Sequence, residues 1–413
     1  MTELTRTHLV QSVLIAMAVF GSQGASAALV DDSTASLYLR NMYLNRDFRD
    51  TGNETMKDWA QGFTLRYQSG FTEGTVGFGV DALAQLGVKL DSGQGRSGSG
   101  VIPVDRDLTP NDDWSELGLT AKARISDSTL YLGTLQPSLP VALYNDTRLL
   151  AGTYTGGMLN FKEIEGLNAN IGRITETNLR DSTSRDDMAY VYNRAESDHL
   201  DFAGGAYTLS DQLTASYYYG ELDNVYRQHF AGLVHVLPLS EQMSLRTDLR
   251  YFKSRDTGDA VGGVIDNDFL NGMVSLSIGG HRFSGAYQRL SGEGNFPFVL
   301  GGDPYSVNLS TYNTFTKADT NAWQARYDYD FAALGLPGLT FMTRYVKASG
   351  IDAQGTTNGH EWERDTDLVY VFQEGSFRGL DIRLRNAAFR ASNGLTGDVD
   401  ENRIIVGYTL PLF

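Results

Sequence analysis

The sequence predicts an all-β fold, a transmembrane up-and-down antiparallel β-barrel of about 18 strands. Three observations predict it. Apolar and polar residues alternate with a period of two through most of the chain. Connections fall into two classes that take turns, eight short and nine long. After residue 28, no run approaches the roughly 18 apolar residues that a membrane helix needs.

The alternation is read strand by strand. "LYLRNMYLNR" puts Leu37, Leu39 and Tyr43 on one face and Arg40 and Arg46 on the other. "LGLTAKAR" sets Leu117, Leu119, Ala121 and Ala123 against Thr120, Lys122 and Arg124. "LRTDLRYF" sets Leu245, Leu249 and Tyr251 against Arg246, Asp248 and Arg250. "WQARYDYDF" and "RIIVGYTLPL" repeat the pattern, with Arg326 and Arg403 on their polar faces. One such strand would also suit a soluble sandwich with a wet outer face. The connections decide for the barrel.

The short connections are turns such as 126–128, 210–212 and 279–280. The long ones are polar and include 89–114, 175–198 and 291–320. An even-stranded barrel with short periplasmic turns and long outer loops has this form. The third long connection contains "QPSLPVALYNDTRLL" and departs from the rest. Its apolar residues would be out of place on a wet loop and make sense if the loop folds inward; an outer loop packed on its neighbours fits the composition as well. Tyr, Phe and Trp gather near strand ends, as in "SYYYGEL", which suits aromatic girdles at the lipid interface as well as plain strand propensity.

The first 27 residues read as a secretory signal peptide. Arg6 supplies positive charge, Val13 to Phe20 an apolar core too short to span a bilayer, and Ala25-Ser26-Ala27 a cleavage site. Residues 28–413 then form a single barrel domain. The chain has no cysteine, which excludes disulfides and thiolate metal sites. A net charge of -16 disfavours nucleic acid as a partner.

"LDIRLRN" carries the most informative polar face. On a strand, Arg383 and Arg385 share one side while Ile382 and Leu384 share the other. In a membrane barrel the apolar side meets lipid and the two arginines line the lumen. Arg403 lies on the next strand, and Arg40 on the first strand, which closes against the last. Lys122 and Arg124 add a basic pair elsewhere. Each charge taken alone could be merely solvated or neutralised by an acid such as Asp381. A cluster of like charges is costly unless acids compensate it or anions visit it. The arginine fork suits carboxylates, and several weak sites in a row favour passage over retention.

Enzyme signatures are missing. None of the six histidines sits in H-E-x-x-H, and no G-x-S-x-G elbow is present. The "DSGQGRSGSG" tract lacks the following lysine of a phosphate cradle. No cofactor motif is visible. Acidic loop runs such as Asn111-Asp112-Asp113 read as solvated tips.

Taken together, "NRDFR", "LGTLQPSLPV" with "NDTRLL", "EIEGL" with "GRITE", "DFAGG", "AYQRLSG" with "GGDPY", "RYDYDFAALGLPGLTFMTRYV", "LDIRLRN" and "DENRIIVGYTLPL" resemble the bacterial outer-membrane carboxylate channels, the porin D group. The resemblance covers the whole mature chain. It implies an eighteen-stranded passive porin in the outer membrane of a Gram-negative bacterium, monomeric or weakly oligomeric, assembled through its C-terminal strand by the barrel assembly machinery. It implies a basic ladder carried over to Arg40, Lys122, Arg124, Arg383, Arg385 and Arg403. Its narrow eyelet maps to Asp146 and Arg148 of "NDTR", faced by Asp303 and Tyr305 of "GGDPY". Arg344 is a further candidate, although "TFMTRYVK" breaks strict alternation. Small organic acids, aromatic monocarboxylates foremost, are the expected substrates. Basic amino acids or small peptides, an outer-membrane hydrolase and a purely structural or adhesive barrel are the alternatives.

Overall fold

The computed structural model describes residues 29–49, 52, 55–353, 356–392 and 394–413. The signal peptide expected at 1–27 lies outside the described residues. Eighteen strands form a closed wall. The first six are β1 (Thr34–Phe48), β2 (Met56–Gln68), β3 (Gly77–Asp91), β4 (Asp113–Ile125), β5 (Ser128–Leu135) and β6 (Thr153–Phe161). Then come β7 (Leu167–Asn178), β8 (Leu200–Ser210), β9 (Leu213–Leu222), β10 (Tyr226–Ser240), β11 (Met243–Asp256) and β12 (Asp266–Ile278). The last are β13 (His281–Glu293), β14 (Asn321–Asp330), β15 (Leu339–Ala353), β16 (Thr356–Val371), β17 (Asp381–Ala391) and β18 (Val399–Pro411).

Each wall strand pairs antiparallel with its sequence neighbours, and β1 also pairs with β18, with Arg40 opposite both Gly62 and Gly407. Closure satisfies every edge, which a lipid environment demands. Two short pieces in the fourth long loop, Arg185–Ala189 and Glu196–Ser197, join the same sheet, and Ser138–Leu139 pairs with Ala142–Leu143 in the third.

Alternation sorts the faces. On β17, Ile382 and Leu384 are exposed outward while Arg383 and Arg385 turn inward. On β4, Leu117 and Leu119 point out, and Glu116, Thr120 and Lys122 are buried inside. Arg344 also points inward, where it meets Asp365 at 2.6 Å.

The third long loop (136–152, L3) folds into the barrel and crosses it. At one end Leu149 and Leu150 are buried with Met42 and Leu44 of β1, Ala60 of β2 and Trp114 of β4. At the other end Val141 packs with the inward aromatics Tyr218 of β9, Phe230 of β10 and Phe252 of β11. Two wall glycines permit the approach. A Cβ at Gly62 would lie 3.0 Å from Leu149, and one at Gly220 would lie 2.8 Å from Val141. Burying one such leucine or valine stabilises by about 1.5–3 kcal/mol. The seventh long loop (294–320, L7) joins the same packing through Phe296 and Val299. The upper lumen is therefore filled by two loops resting on an aromatic inner wall.

The face assignment makes a stability prediction. Leu384→Arg puts a cation on a lipid-facing position that is 48% exposed, at a cost of about 2–4 kcal/mol if it lies near the bilayer midplane. Unfolding in lipid vesicles should report that loss, and a Leu384→Arg barrel as stable as the native one would contradict the assignment.

Candidate functional site: a charged constriction

Three of the arginines singled out in the sequence converge on one wall. Arg385 and Arg403 are register partners across β17 and β18, and β18 pairs with β1, which carries Arg40. Arg40 reaches into L3. Its Nη1 donates to Asp146 Oδ1 at 2.7 Å and to the Arg148 carbonyl at 2.5 Å. Arg385 holds Asp367 with two hydrogen bonds, from Nε at 2.7 Å and Nη2 at 2.5 Å.

Arg403 differs from the expected ladder rung. It is only 2% exposed. Its Nε donates to Glu401 at 2.5 Å, its Nη1 to the Thr147 carbonyl of L3 at 3.1 Å, and its Nη2 to the Thr311 carbonyl of L7 at 2.9 Å. It therefore ties both loops to the wall and has no free face for a passing solute. Arg148 is buried as well, with Nε donating to the Ser99 carbonyl at 3.2 Å. The reason is common to both: loops folded inside the barrel cover the charges that an empty lumen would leave wet.

Lys122 and Arg124 sit apart from that wall, at the periplasmic end of β4. Lys122 is buried against Asp81 at 2.6 Å and bonds the Ser69 carbonyl. The Arg124 guanidinium lies 4.2 Å from the centre of the Phe71 ring. On the L7 side of the constriction, the Tyr305 ring receives the Arg250 guanidinium at 4.0 Å, and Asp303 accepts from Asn145 Nδ2 of L3 at 2.6 Å.

Sequence reasoning missed an acidic stripe. "EWERDTD" on β16 directs Glu361, Glu363, Asp365 and Asp367 inward, two residues apart. All four are buried. Glu363 accepts from the backbone N–H groups of Tyr312 and Asn313, both at 2.8 Å, and Asp365 accepts from that of Thr311. Lys317 pairs with Glu361. Glu361, Glu363 and Asp365 fasten L7, while Asp367 holds Arg385. The E-x-E-x-D-x-D spacing was a period-two signal available in the sequence.

The sequence placed Arg383 in the lumen and Arg246 and Arg326 on polar strand faces, but it did not show that they gather with Arg282 on the periplasmic side of L3. Arg282 of β13, Arg326 of β14 and Arg383 of β17 line one cavity of about 460 Å³. Arg282 and Arg326 line an adjoining one with Arg246 of β11. Arg326 is paired with Asp328 at 2.6 Å. Among the described residues Arg246 and Arg383 have no ion-pair partner, and Arg383 Nε is buried without a hydrogen bond.

The sequence matches the pattern of the outer membrane porin, OprD family, over residues 27–412. The chain belongs to the OprD family. It is 36% identical to Porin D of Pseudomonas aeruginosa, over 96% of this chain and 95% of that protein. Its fold superposes on the crystal structure of Pseudomonas aeruginosa OccK9 (OpdG) with a TM-score of 0.91 at 39% identity, covering 93% of this chain and 100% of the other. The crystal structure of Pseudomonas aeruginosa OpdK with vanillate matches with a TM-score of 0.88 at 37% identity, again over 93% and 100%. As an OprD-family porin, the protein is an outer-membrane channel for small molecules in a Gram-negative envelope and not an enzyme.

The contact between L3 and L7 is pH-sensitive. Burial pushes the Asp303 carboxyl up to about 6, partly offset by Arg180 and Arg148. An acid whose folded pKa is raised contributes stability that is complete below its ordinary pKa of about 3.9 and is lost as pH rises through the folded value. Asp303→Asn imitates the neutral acid. Between about pH 4 and about pH 7 the thermal midpoint of the variant should gain steadily on that of the native protein. A constant difference between the two would contradict the assignment.

Proposed function

We propose that this OprD-family channel passes small carboxylates, aromatic monocarboxylates foremost, along a file of arginines. Arg40 and Arg385 stand at the L3 constriction. Arg383, Arg282, Arg326 and Arg246 continue toward the periplasm, and Lys122 with Arg124 form a second basic pair near the mouth. Asp146, Arg148, Asp303 and Tyr305 frame the eyelet, and Arg403 acts through the loops it holds.

One observation carries this reading. Glu361, Glu363 and Asp365 of β16 are sealed beneath L7 and Asp367 is held by Arg385, whereas Arg246 and Arg282 are exposed to the lumen. An anion entering the lower lumen meets the guanidinium groups of Arg246, Arg282 and Arg383, which no carboxylate holds among the described residues, while Asp328 and Asp367 on the same cavity wall are each engaged by an arginine. The planar fork binds a carboxylate through two hydrogen bonds, and spacing such forks along the wall keeps each stop brief. The similarity to OpdK, whose structure holds vanillate, supports an aromatic acid as the cargo. The gradient of the solute is the driving force.

Arg282 and Arg383 test the reading cleanly, because neither has a carboxylate partner that a substitution would strand. In liposome uptake, the double variant Arg282→Gln, Arg383→Gln should slow entry of a benzoate-type acid by roughly fivefold at low salt, with a smaller effect at high salt. Uptake of a basic amino acid should not slow. Lysine at both positions should restore part of the rate, since charge returns without the fork. A double variant that carries the acid at the native rate would refute the arginine file.

A further inference from the structure

The outer face of β13 to β16 holds a group of cations that the channel does not use. Trp323 of β14, Tyr345 of β15 and Trp362 of β16 point outward and form a row, with ring centroids 5.5 Å apart for the first pair and 5.4 Å for the second. Lys347 stands between the two tryptophans, as register partner of Trp323 on one side and Trp362 on the other. Arg364 is the register partner of Tyr345. Arg289 of β13 lies outward beside Asn321, the first residue of β14.

The height of this row follows from the strands. Near the periplasmic turns, the same wall carries a lower aromatic set, including Phe283, Tyr327, Phe341 and Tyr370. Tyr370 and Trp362 are eight residues apart on β16. At about 3.3 Å per residue and a tilt near 40°, that is about 20 Å of height, close to the apolar band of such barrels. The Trp323–Tyr345–Trp362 row therefore marks the extracellular interface, where the headgroups of the outer leaflet lie.

Most other outward cations of the rim are paired, and Lys57 of β2 and Arg227 of β10, which lack an ion-pair partner among the described residues, stand on strands away from this patch. Arg173 is paired with Asp201, Lys253 with Asp268, Arg255 with Asp266, and Arg390 with Asp400. Among the described residues Arg289 and Lys347 have no such partner. The Arg364 Nη2 bonds only a neutral group, Asn386 Oδ1, at 2.6 Å. On a chain of net charge -16, three unneutralised cations on neighbouring strands at headgroup height are complementary to an anionic lipid.

We propose that Arg289, Lys347 and Arg364, with the rings of Trp323, Tyr345 and Trp362, form an outward-facing site for the phosphorylated headgroup of an outer-leaflet glycolipid. The rings lie along the acyl–headgroup boundary and the cations meet the phosphate. The site is independent of what the lumen carries.

Native mass spectrometry of the purified barrel tests this, with bisphosphorylated lipid A and phosphate-free lipid A as probes. The native protein should retain the first and release the second. Arg289→Gln, Lys347→Gln and Arg364→Gln should each weaken retention by about fivefold. Lys253→Gln, a paired cation elsewhere on the outer face, should have no effect. Heat-modifiable gel migration verifies that each variant is folded, and if Arg289→Gln or Arg364→Gln fails to fold, Lys347→Gln alone carries the test. Equal retention of the two lipids, native retention by a folded variant, an equal loss in Lys253→Gln, or displacement of the lipid by inorganic phosphate would each overturn the proposal.

Discussion

Two loops folded inside a closed barrel cover the charges of the wall beneath them, and a covered charge must be paired or it costs several kcal/mol. Arg403 shows how the protein meets that constraint. Its guanidinium spends its donors on Glu401, on the Thr147 carbonyl of L3 and on the Thr311 carbonyl of L7. Glu401 also takes Arg46 at 2.6 Å, and the Arg46 guanidinium lies 5.1 Å from the Tyr312 ring centre of L7. A single cluster of two arginines and one glutamate thus sets where both loops stop. The β16 acids extend the same logic, since Glu363 accepts the N–H groups of Tyr312 and Asn313. The constriction is held by buried polar contacts at one wall and by apolar contacts of Val141 and Leu149 at its two ends.

That division of labour reconciles two facts about charge. The chain is strongly acidic, yet the lower lumen presents arginines. Many lumen carboxylates are buried as fasteners or bonded to a neighbouring cation. What remains accessible below L3 includes Arg246, Arg282 and Arg383. Net charge therefore says little about the potential along the pore, because the path samples only those groups that the loops leave uncovered.

Much of this was legible in the sequence, for a physical reason. A strand has a period of two, so each lipid-facing residue fixes the direction of its neighbours. Arg383, Arg385 and Arg40 could be assigned to the lumen from Leu384 and Leu39 alone. The alternation of short and long connections gave the strand count. The burial of Arg403 and Arg148 was not legible, because it depends on where L3 and L7 settle, and period two carries no information about that. The inward aromatics Phe230, Phe252 and Phe269 were hidden for a related reason. An apolar residue on the lumen side looks like a lipid-facing one until the loop that covers it is known. The β16 acids were the opposite case, since Glu361, Glu363, Asp365 and Asp367 announced their shared face by spacing.

Arg403 positions both loops and so sets the pore. Arg403→Met keeps an unbranched stem and removes the guanidinium donors, breaking a buried pair at a cost of about 3–5 kcal/mol. Single-channel recording in planar bilayers reads the consequence directly. A folded barrel with higher conductance and frequent switching between levels is expected, as L3 and L7 lose their common anchor. A folded Arg403→Met channel with the native conductance and a steady trace would contradict it.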